Sequence, residues 1–294
     1  MKSRFTSVII IISLWLLFTG IGICQHKVSV SDCVDKVGQG NINWSAGYIE
    51  ALGIGAPPEK LAGKINARPI ALRAAQKDAS RNLLEITKGV QVDSTTLIKD
   101  FTEGDNIINT QVNGLAKSAE VLDQQYMPDG RAEVRLRIPL YGNLSQTIMP
   151  LVMAKSPAAP SLTESIPTPA VKASESPSVP VVYTGMVVDA HGIQARPAMF
   201  PRIFDEDGRE VYGLANGDRE YAEKQGISGY TRDLAAAQSS NQRVGANPIT
   251  IKALRSSGSG KSDIIISNAD AQKVRSSAES ASFLKQCKVI IVLD

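Results

Sequence analysis

The stretch with the clearest chemical potential runs from Ser257 to Ser262 and reads Ser-Gly-Ser-Gly-Lys-Ser. It resembles the end of a phosphate-binding loop, GxxxxGK[ST], in which backbone amides and the lysine surround the phosphates of a nucleotide. That motif requires a glycine at position 255, where the chain has Arg255, and a helix after Lys261. The residues that follow, Asp-Ile-Ile-Ile, are typical of a strand instead. We therefore interpret the stretch as a connection between two strands.

Two other glycine patterns are equally incomplete. Gly53-Ile-Gly55 follows a predicted strand as a dinucleotide fingerprint would, but Pro58 occupies the position of the third glycine. Asp205, Asp207 and Gly208 resemble the start of a calcium loop, yet the coordinating glutamate downstream is missing and a hairpin turn accounts for all three. The sequence predicts no cofactor.

Histidines and paired carboxylates provide no clear catalytic site either. The chain has two histidines, far apart and remote from any cysteine pair, so neither a zinc cluster nor a Ser-His-Asp triad has a framework. A pair of catalytic carboxylates like that of a glycosidase would have to come from acidic residues that we expect to be exposed to solvent on the surface. The histidines are His26 and His191, and the carboxylates are Glu50, Glu85, Asp100 and Glu103. We predict no catalytic or metal-binding residues and expect the protein not to be an enzyme.

Residues 1–24 have the pattern of a secretory signal peptide. Lys2 and Arg4 precede an apolar run from Val8 to Phe18 that is short for a membrane-spanning helix, and small residues follow to Cys24. This pattern predicts export to the periplasm. Two alternatives stay open: an uncleaved leader that anchors the chain, and lipidation of Cys24, which would bring outer-membrane association. Ile23 stands where a lipoprotein leader has a small residue.

Two cysteines remain after the leader. Cys33 and Cys287 could form a disulfide in an oxidising compartment. However, Cys287 opens an apolar strand, where a buried free thiol is the ordinary expectation. Both readings stay open.

A small-residue helix organises the first half of the chain. Apolar residues recur at helical spacing from Ala67 to Gly89, and alanines keep this face narrow enough to lie against a flat sheet. The helix follows a predicted strand at residues 43–55 and precedes another at residues 90–98. The stripe comprises Leu72, Ala75, Ala79, Leu83 and Ile86. Residues 25–42 are polar and are predicted to form a loose lead-in.

Further along, Pro128-Asp-Gly130 predicts a hairpin, which gives residues 43–149 the order β-α-β-(α)-β-β. Residues 150–180 contain seven of the fifteen prolines among Ser, Thr, Ala and Glu, as is typical of a linker. Residues 181–294 form a second α+β domain that ends in a βαβ unit with its last strand inside the sheet. The predicted fold class is α+β, with two small α/β-sandwich domains, each a sheet with helix on one face, that the Pro-rich linker separates.

The first half resembles the domain of the Lpp-twenty type bacterial envelope lipoproteins and is similar to the N-terminal domain of flagellar assembly protein T. The resemblance covers about residues 43–142 and implies an envelope module used for attachment or assembly, with no catalytic residues. The second half looks like a domain that accompanies this module in uncharacterised exported bacterial proteins. The residues of the resemblance are Gly53-Ile-Gly55-Ala, Ala67-Arg68, Ala71, Ala74-Ala75, Asp78-Ala79, Leu83, Gly89-Val90, Val92, Ser94 and Asp129-Gly130.

Charge patterning limits the class of partner. The net charge is +3 and residues of both signs are interspersed, so no basic face indicates nucleic acid. We expect a non-enzymatic, exported cell-envelope protein that binds an envelope protein, with surface or flagellar assembly as candidate settings. The alternative is a periplasmic solute- or glycan-binding protein with its site between the domains. The long linker argues against it, because a fixed cleft needs fixed domains.

Overall fold

The computed structural model describes residues 31–61, 63–155, 182–240, 242–276 and 280–294. The predicted leader, with Cys24 and His26, and residues 156–180 of the predicted linker lie outside this part. Residues Ser31 to Asp294 form one compact unit. It contains two β-sheets and eight α-helices among the described residues. The predicted α+β class with two sheet-and-helix domains is confirmed.

The first sheet is antiparallel and has the strand order β1-β2-β3-β5-β4, so β1 and β4 are its edges. Helix α1 packs across β3 and β5, and the smaller helices surround it. The strands are β1 (Val34–Val37), β2 (Gly40–Asn43), β3 (Tyr48–Gly55), β4 (Glu120–Tyr126) and β5 (Ala132–Pro139). The helices are α1 (Ala67–Lys88), α2 (Ile98–Thr102), α3 (Asn106–Lys117) and α4 (Asn143–Lys155).

The predicted helix with its alanine stripe is confirmed as α1, and its approach to the sheet is very close. Ala75 and Ala79 are fully buried. Gly53 and Gly55 lie beneath the helix, and a Cβ atom at Gly53 would be 2.1 Å from the backbone nitrogen of Ala79. The Gly-Ile-Gly pattern therefore serves helix packing, because only glycine leaves room for the helix backbone.

Residues 34–43 are not a loose lead-in, and this expectation is wrong. They form the β1–β2 hairpin, with Gly38 at a positive φ of 52° in its turn. Both residues in the middle of β1, Asp35 and Lys36, are polar, so the strand lacks the alternation of apolar residues that predicts strands.

The strand predicted over residues 90–98 is also wrong, since the described structure has one isolated bridge there, between Gln91 and Leu97. The Asp93 carboxylate accepts hydrogen bonds from the backbone N–H groups of Thr95 and Thr96, at 2.8 and 2.9 Å. This local capping turns the chain and competes with extended structure. Helix α4 was likewise unpredicted; it extends into the predicted linker and includes Pro150.

The second sheet has the order β8-β7-β11-β10-β6-β12-β9, with β10, β6, β12 and β9 mutually parallel. Its strands are β6 (Gly185–Asp189), β7 (Ile203–Phe204), β8 (Glu210–Tyr212), β9 (Gly229–Thr231), β10 (Pro248–Ser257), β11 (Asp263–Ile266) and β12 (Val289–Val292). Its helices are α5 (Arg219–Gln225), α6 (Leu234–Gln238), α7 (Asn268–Ser276) and α8 (Ser280–Lys285).

The final strand lies inside the sheet, as predicted, with β6 on one side and β9 on the other. The last section is nevertheless not a parallel βαβ unit. Strand β11 runs antiparallel to β10, whereas β12 is parallel to the β10–β6 pair, so β11 and β12 run in opposite directions with two strands between them. The residue pattern predicts a strand, a helix and a strand in this order, but it does not predict whether the two strands run in the same direction.

The two sheets share an interface, so the linker does not isolate them. Backbone N–H groups of Met199 and Phe200 donate to the carbonyl oxygens of Gln91 and Val92 at 3.0 and 2.8 Å. A single buried apolar cluster includes residues of both sheets. The first and second halves are therefore held in a fixed arrangement.

Candidate functional site

The phosphate-loop-like stretch is confirmed as a connection between strands. Strand β10 ends at Ser257, β11 begins at Asp263, and no helix follows Lys261. The Lys261 ammonium donates to the side-chain oxygen of Gln194 at 3.0 Å, and the Gly260 N–H donates to the Ser94 carbonyl at 2.7 Å. The stretch thus packs against the first half of the protein.

The calcium-loop-like residues form the turn of the β7–β8 hairpin, which confirms the turn interpretation. The Asp205 side chain is excluded from solvent and accepts hydrogen bonds from the Arg209 backbone at 2.8 Å, Arg209 Nε at 3.0 Å and Arg275 Nη1 at 2.9 Å. Burial alone would raise the pKa of Asp205, but these hydrogen bonds outweigh it and lower the pKa to about 2. This carboxylate is a structural group that two arginines neutralise.

Asp205 should make the free energy of unfolding depend on pH in the acid range. Because its folded pKa is below its unfolded value of 3.8, its contribution is present above about pH 4 and is lost as the pH falls towards 2. We expect Asp205→Asn to cost about 1–2 kcal/mol at pH 6, discounted for the exposed Arg209, and much less at pH 2. Urea titrations at both pH values measure this difference. The control is Asp207→Asn, at a side chain 56% exposed; an equal acid response in both variants would contradict the assignment.

The remaining candidate residues do not come together. His191 lies in the turn after β6, as expected, with Nδ1 2.6 Å from Asp189 Oδ1. Glu50 was expected on the solvated surface but is buried; it accepts from Arg137 Nε at 2.9 Å, and that guanidinium lies over the Tyr48 ring. Asp100 accepts the Leu97 N–H at the start of α2. Among the described residues, no group of three or more His, Cys, Asp and Glu could hold a metal ion.

Cys33 and Cys287 are both buried and free, so no disulfide joins them in the structure. Burial raises the pKa of both thiols, which makes them poor nucleophiles. Each thiol therefore packs as a small apolar side chain, which is the ordinary expectation for a buried cysteine.

An open cleft of about 420 Å³ lies between the two halves. This volume falls within the roughly 300–1,000 Å³ of small-ligand pockets. The first half contributes β1, Ile42, Trp44, Gly89 and Gln91, and the second half contributes Arg196 and Pro197. We refer to it below as the β1 cleft.

The cleft runs along the edge strand of the first sheet. All four residues of β1, Val34–Val37, line it. Strand β1 pairs with β2 alone among the described strands.

The charged side chains of the β1 cleft differ in whether they have a described partner. The Asp35 carboxylate accepts the indole N–H of Trp44 at 2.9 Å, and Trp44 in turn packs edge-on against Tyr230 with ring centroids 5.9 Å apart. Lys36 and Arg196 are exposed, and neither forms an ion pair within the described part of the chain. The cleft therefore presents two available cations and one carboxylate that is already engaged.

The far wall of the cleft is fixed by the backbone. The Arg196 N–H donates to the carbonyl oxygen of Lys261 at 3.0 Å, and Pro197 is buried. Further along this segment, Met199 and Phe200 hydrogen-bond to the first half, as described above. The wall and β1 consequently keep a constant separation.

Comparison with known families finds one similarity, in the half that carries this wall. Residues 185–294 match the family model for the second domain of Treponema pallidum Tp0624. The matched region, named the Tp0624-type domain for this similarity, spans the whole second sheet, from β6 to β12, and includes Arg196 and Pro197. The match confirms that the second half resembles an uncharacterised bacterial domain. It does not extend to β1 and Trp44, which form the opposite wall.

A search of curated proteins and the hydropathy of the helices give two further results. A search of curated proteins finds no match to the chain. No helix in the described ranges is both long enough and apolar enough to cross a bilayer.

Proposed function

We propose that this protein is an exported, non-enzymatic component of the cell envelope that acts as an interaction or assembly module. The observation that carries the proposal is the β1 cleft, in which an edge strand lies beside two cations, and neither the edge nor the cations have partners among the described residues. Such an edge offers backbone hydrogen bonds to another polypeptide. We assign the cleft as the contact site for an envelope protein.

Two features of the sequence support the envelope setting. Residues 1–24 have the order of regions found in secretory leaders. The first half resembles envelope lipoproteins and the N-terminal domain of flagellar assembly protein T, which points to surface or flagellar assembly. The Tp0624-type domain supplies the rigid second wall of the site.

Binding of a small periplasmic solute or glycan is the second candidate. It is favoured by the backbone hydrogen bonds that hold the two halves together, because a binding cleft between them then keeps its shape. A flexible linker alone would not have held the two walls at a constant distance. A glycan is the weaker choice, because Trp44 is the single aromatic residue of the lining and is 2% exposed. It offers no open ring face for sugar stacking.

Site-specific crosslinking in intact cells tests the proposal. A photo-crosslinking amino acid replaces Lys36 or Arg196 in the cleft, and Lys117 on α3 serves as an exposed control outside it. We expect one envelope protein to be captured from both cleft positions but not from the control. Reversing the charge of the other cleft cation, with Arg196→Glu or Lys36→Glu, should reduce the crosslink at least about 10-fold, because both cations contact the partner.

Two outcomes would overturn the proposal. One is fractionation that places the protein in the cytoplasm. The other is the absence of crosslinks from the cleft together with tight binding of a small solute in calorimetry, which would favour the second candidate.

A further inference from the structure

We infer that the β1 cleft binds an extended peptide segment with acidic side chains, which adds to β1 as a further strand. The inference rests on the proposed function and specifies the chemistry of the partner. It depends on three properties of the site: the side of β1 that pairs with no described strand, the charges beside it, and the face of the sheet on which Lys36 lies.

The free backbone determines that the ligand is extended. In an antiparallel pair, successive residues alternate between directing their N–H and C=O groups towards the partner strand and away from it. Two of the four β1 residues therefore present their backbone groups to the cleft. Four residues of strand span about 13 Å, so the site suits a segment of about four or five residues.

The charges beside the edge determine the sign of the ligand. Lys36 comes from β1 and Arg196 from the opposite wall, so a segment bound in the cleft would have a cation on each side. The Asp35 carboxylate accepts a hydrogen bond from the neutral Trp44 indole at 2.9 Å and keeps its charge. Two cations and one carboxylate give the lining a net positive charge, and carboxylates on the ligand would complete two charge-assisted contacts.

The face on which Lys36 lies determines where the acidic side chains of the ligand would be. Paired residues share a face, so Asp35 lies with Ile42, and Val37 lies with Gly40, on the side of the sheet that α1 covers. Lys36 pairs with Asn41 and lies on the opposite side. A ligand strand would therefore direct its acidic side chains towards Lys36, on the side of the sheet opposite α1.

A set of blocked pentapeptides tests this inference by fluorescence anisotropy on the full chain. The probe is labelled acetyl-Glu-Val-Glu-Val-Glu-amide. One control replaces every glutamate with lysine, and a second methylates the glutamate and valine nitrogens alike, so that no residue of the peptide can donate a backbone N–H to a strand. We expect the acidic peptide to bind at least about 10-fold more tightly than either control.

Protein variants locate the contact. Lys36→Gln combined with Arg196→Gln should weaken binding of the acidic peptide about 10-fold or more, whereas Lys117→Gln on α3 should leave it unchanged. Backbone amide exchange in Val34–Val37 should slow when the peptide is added. Equal binding of the N-methylated peptide, an unchanged affinity of the double variant, or no binding of the acidic peptide would each overturn the inference.

The peptide assay and the crosslinking experiment can fail independently. Crosslinks from the cleft to an envelope protein without binding of the acidic peptide would refute the inferred ligand chemistry and leave the proposed function standing. Binding of the peptide without any envelope crosslink would refute the envelope role and support the strand-addition site.

Discussion

Replacing Gly53 with alanine should unfold the protein or come close to doing so. The added Cβ atom would lie 2.1 Å from the Ala79 nitrogen and 2.3 Å from the Ala75 oxygen. Both are backbone atoms of α1, so no side-chain rotation can relieve the clash. The helix would have to move away from β3 and lose contacts along the buried alanine stripe.

We expect Gly53→Ala to lower the free energy of unfolding by about 3 kcal/mol or more. The matched control is Gly114→Ala in α3, where a new Cβ meets nothing within 4 Å. That change should be stabilising by about 0.5–1 kcal/mol, because alanine is the better helix former. Urea unfolding followed by circular dichroism and by Trp44 fluorescence measures both. Equal stability of the two variants would show that α1 does not lie this close to the sheet.

Asp263→Ala should destabilise the contact between the two sheets as a whole. The buried Asp263 carboxylate accepts from Ser94 Oγ at 2.6 Å and from Arg202 Nη2 at 2.9 Å. Ser94 belongs to the first half, whereas Arg202 and Asp263 belong to the second. Alanine would leave a hydroxyl and a largely enclosed guanidinium without their acceptor, which is the costly way to break a buried ion pair.

We expect Asp263→Ala to lower the free energy of unfolding by about 3 kcal/mol. This value is at the lower end of the range for breaking a buried ion pair, because the Arg202 side chain is 34% exposed. Asp207→Ala removes an exposed ion-pair carboxylate and should change stability by at most about 1 kcal/mol. Chemical denaturation measures both values, and far-UV and Trp44 signals should change together in wild type because the halves share one core. Separate transitions in the wild-type protein would contradict this shared core.

Local sequence signals predicted the elements whose residues are close together in the chain. The apolar stripe from Leu72 to Ile86 predicted α1. The Asp129-Gly130 turn likewise identified the β4–β5 hairpin. These features depend on spacing and turn chemistry, which the sequence contains directly.

Two of the errors arose where contacts outside the segment determine its structure, and a third arose from a local side-chain cap. The β1 strand has polar residues in its middle, and its pairing with β2 rather than apolar alternation makes it a strand. The side chain of Asp93 bends a segment whose valines suggested extension. The direction of β12 relative to β11 depends on which strands come between them, and periodicity does not specify this.

The candidate site could not be predicted for the same reason. Its two walls come from residues 34–44 and residues 196–197, which only tertiary structure brings together. Neither Lys36 nor Arg196 belongs to a motif, and their significance comes from the folded structure, in whose described residues neither has an ion-pair partner. Trp44 is the one residue that a sequence could have marked, as an isolated tryptophan after a polar segment.

The central position of β12 has a consequence for the order in which the protein forms. Strand β12 separates β6 from β9, yet it follows both of them in the chain. A polypeptide that emerges from its N-terminus, whether from a ribosome or from a translocation channel, therefore leaves a gap between β6 and β9 until Val289–Val292 have emerged. The second sheet, to which the Arg196 wall of the β1 cleft belongs, is completed only when β12 enters that gap.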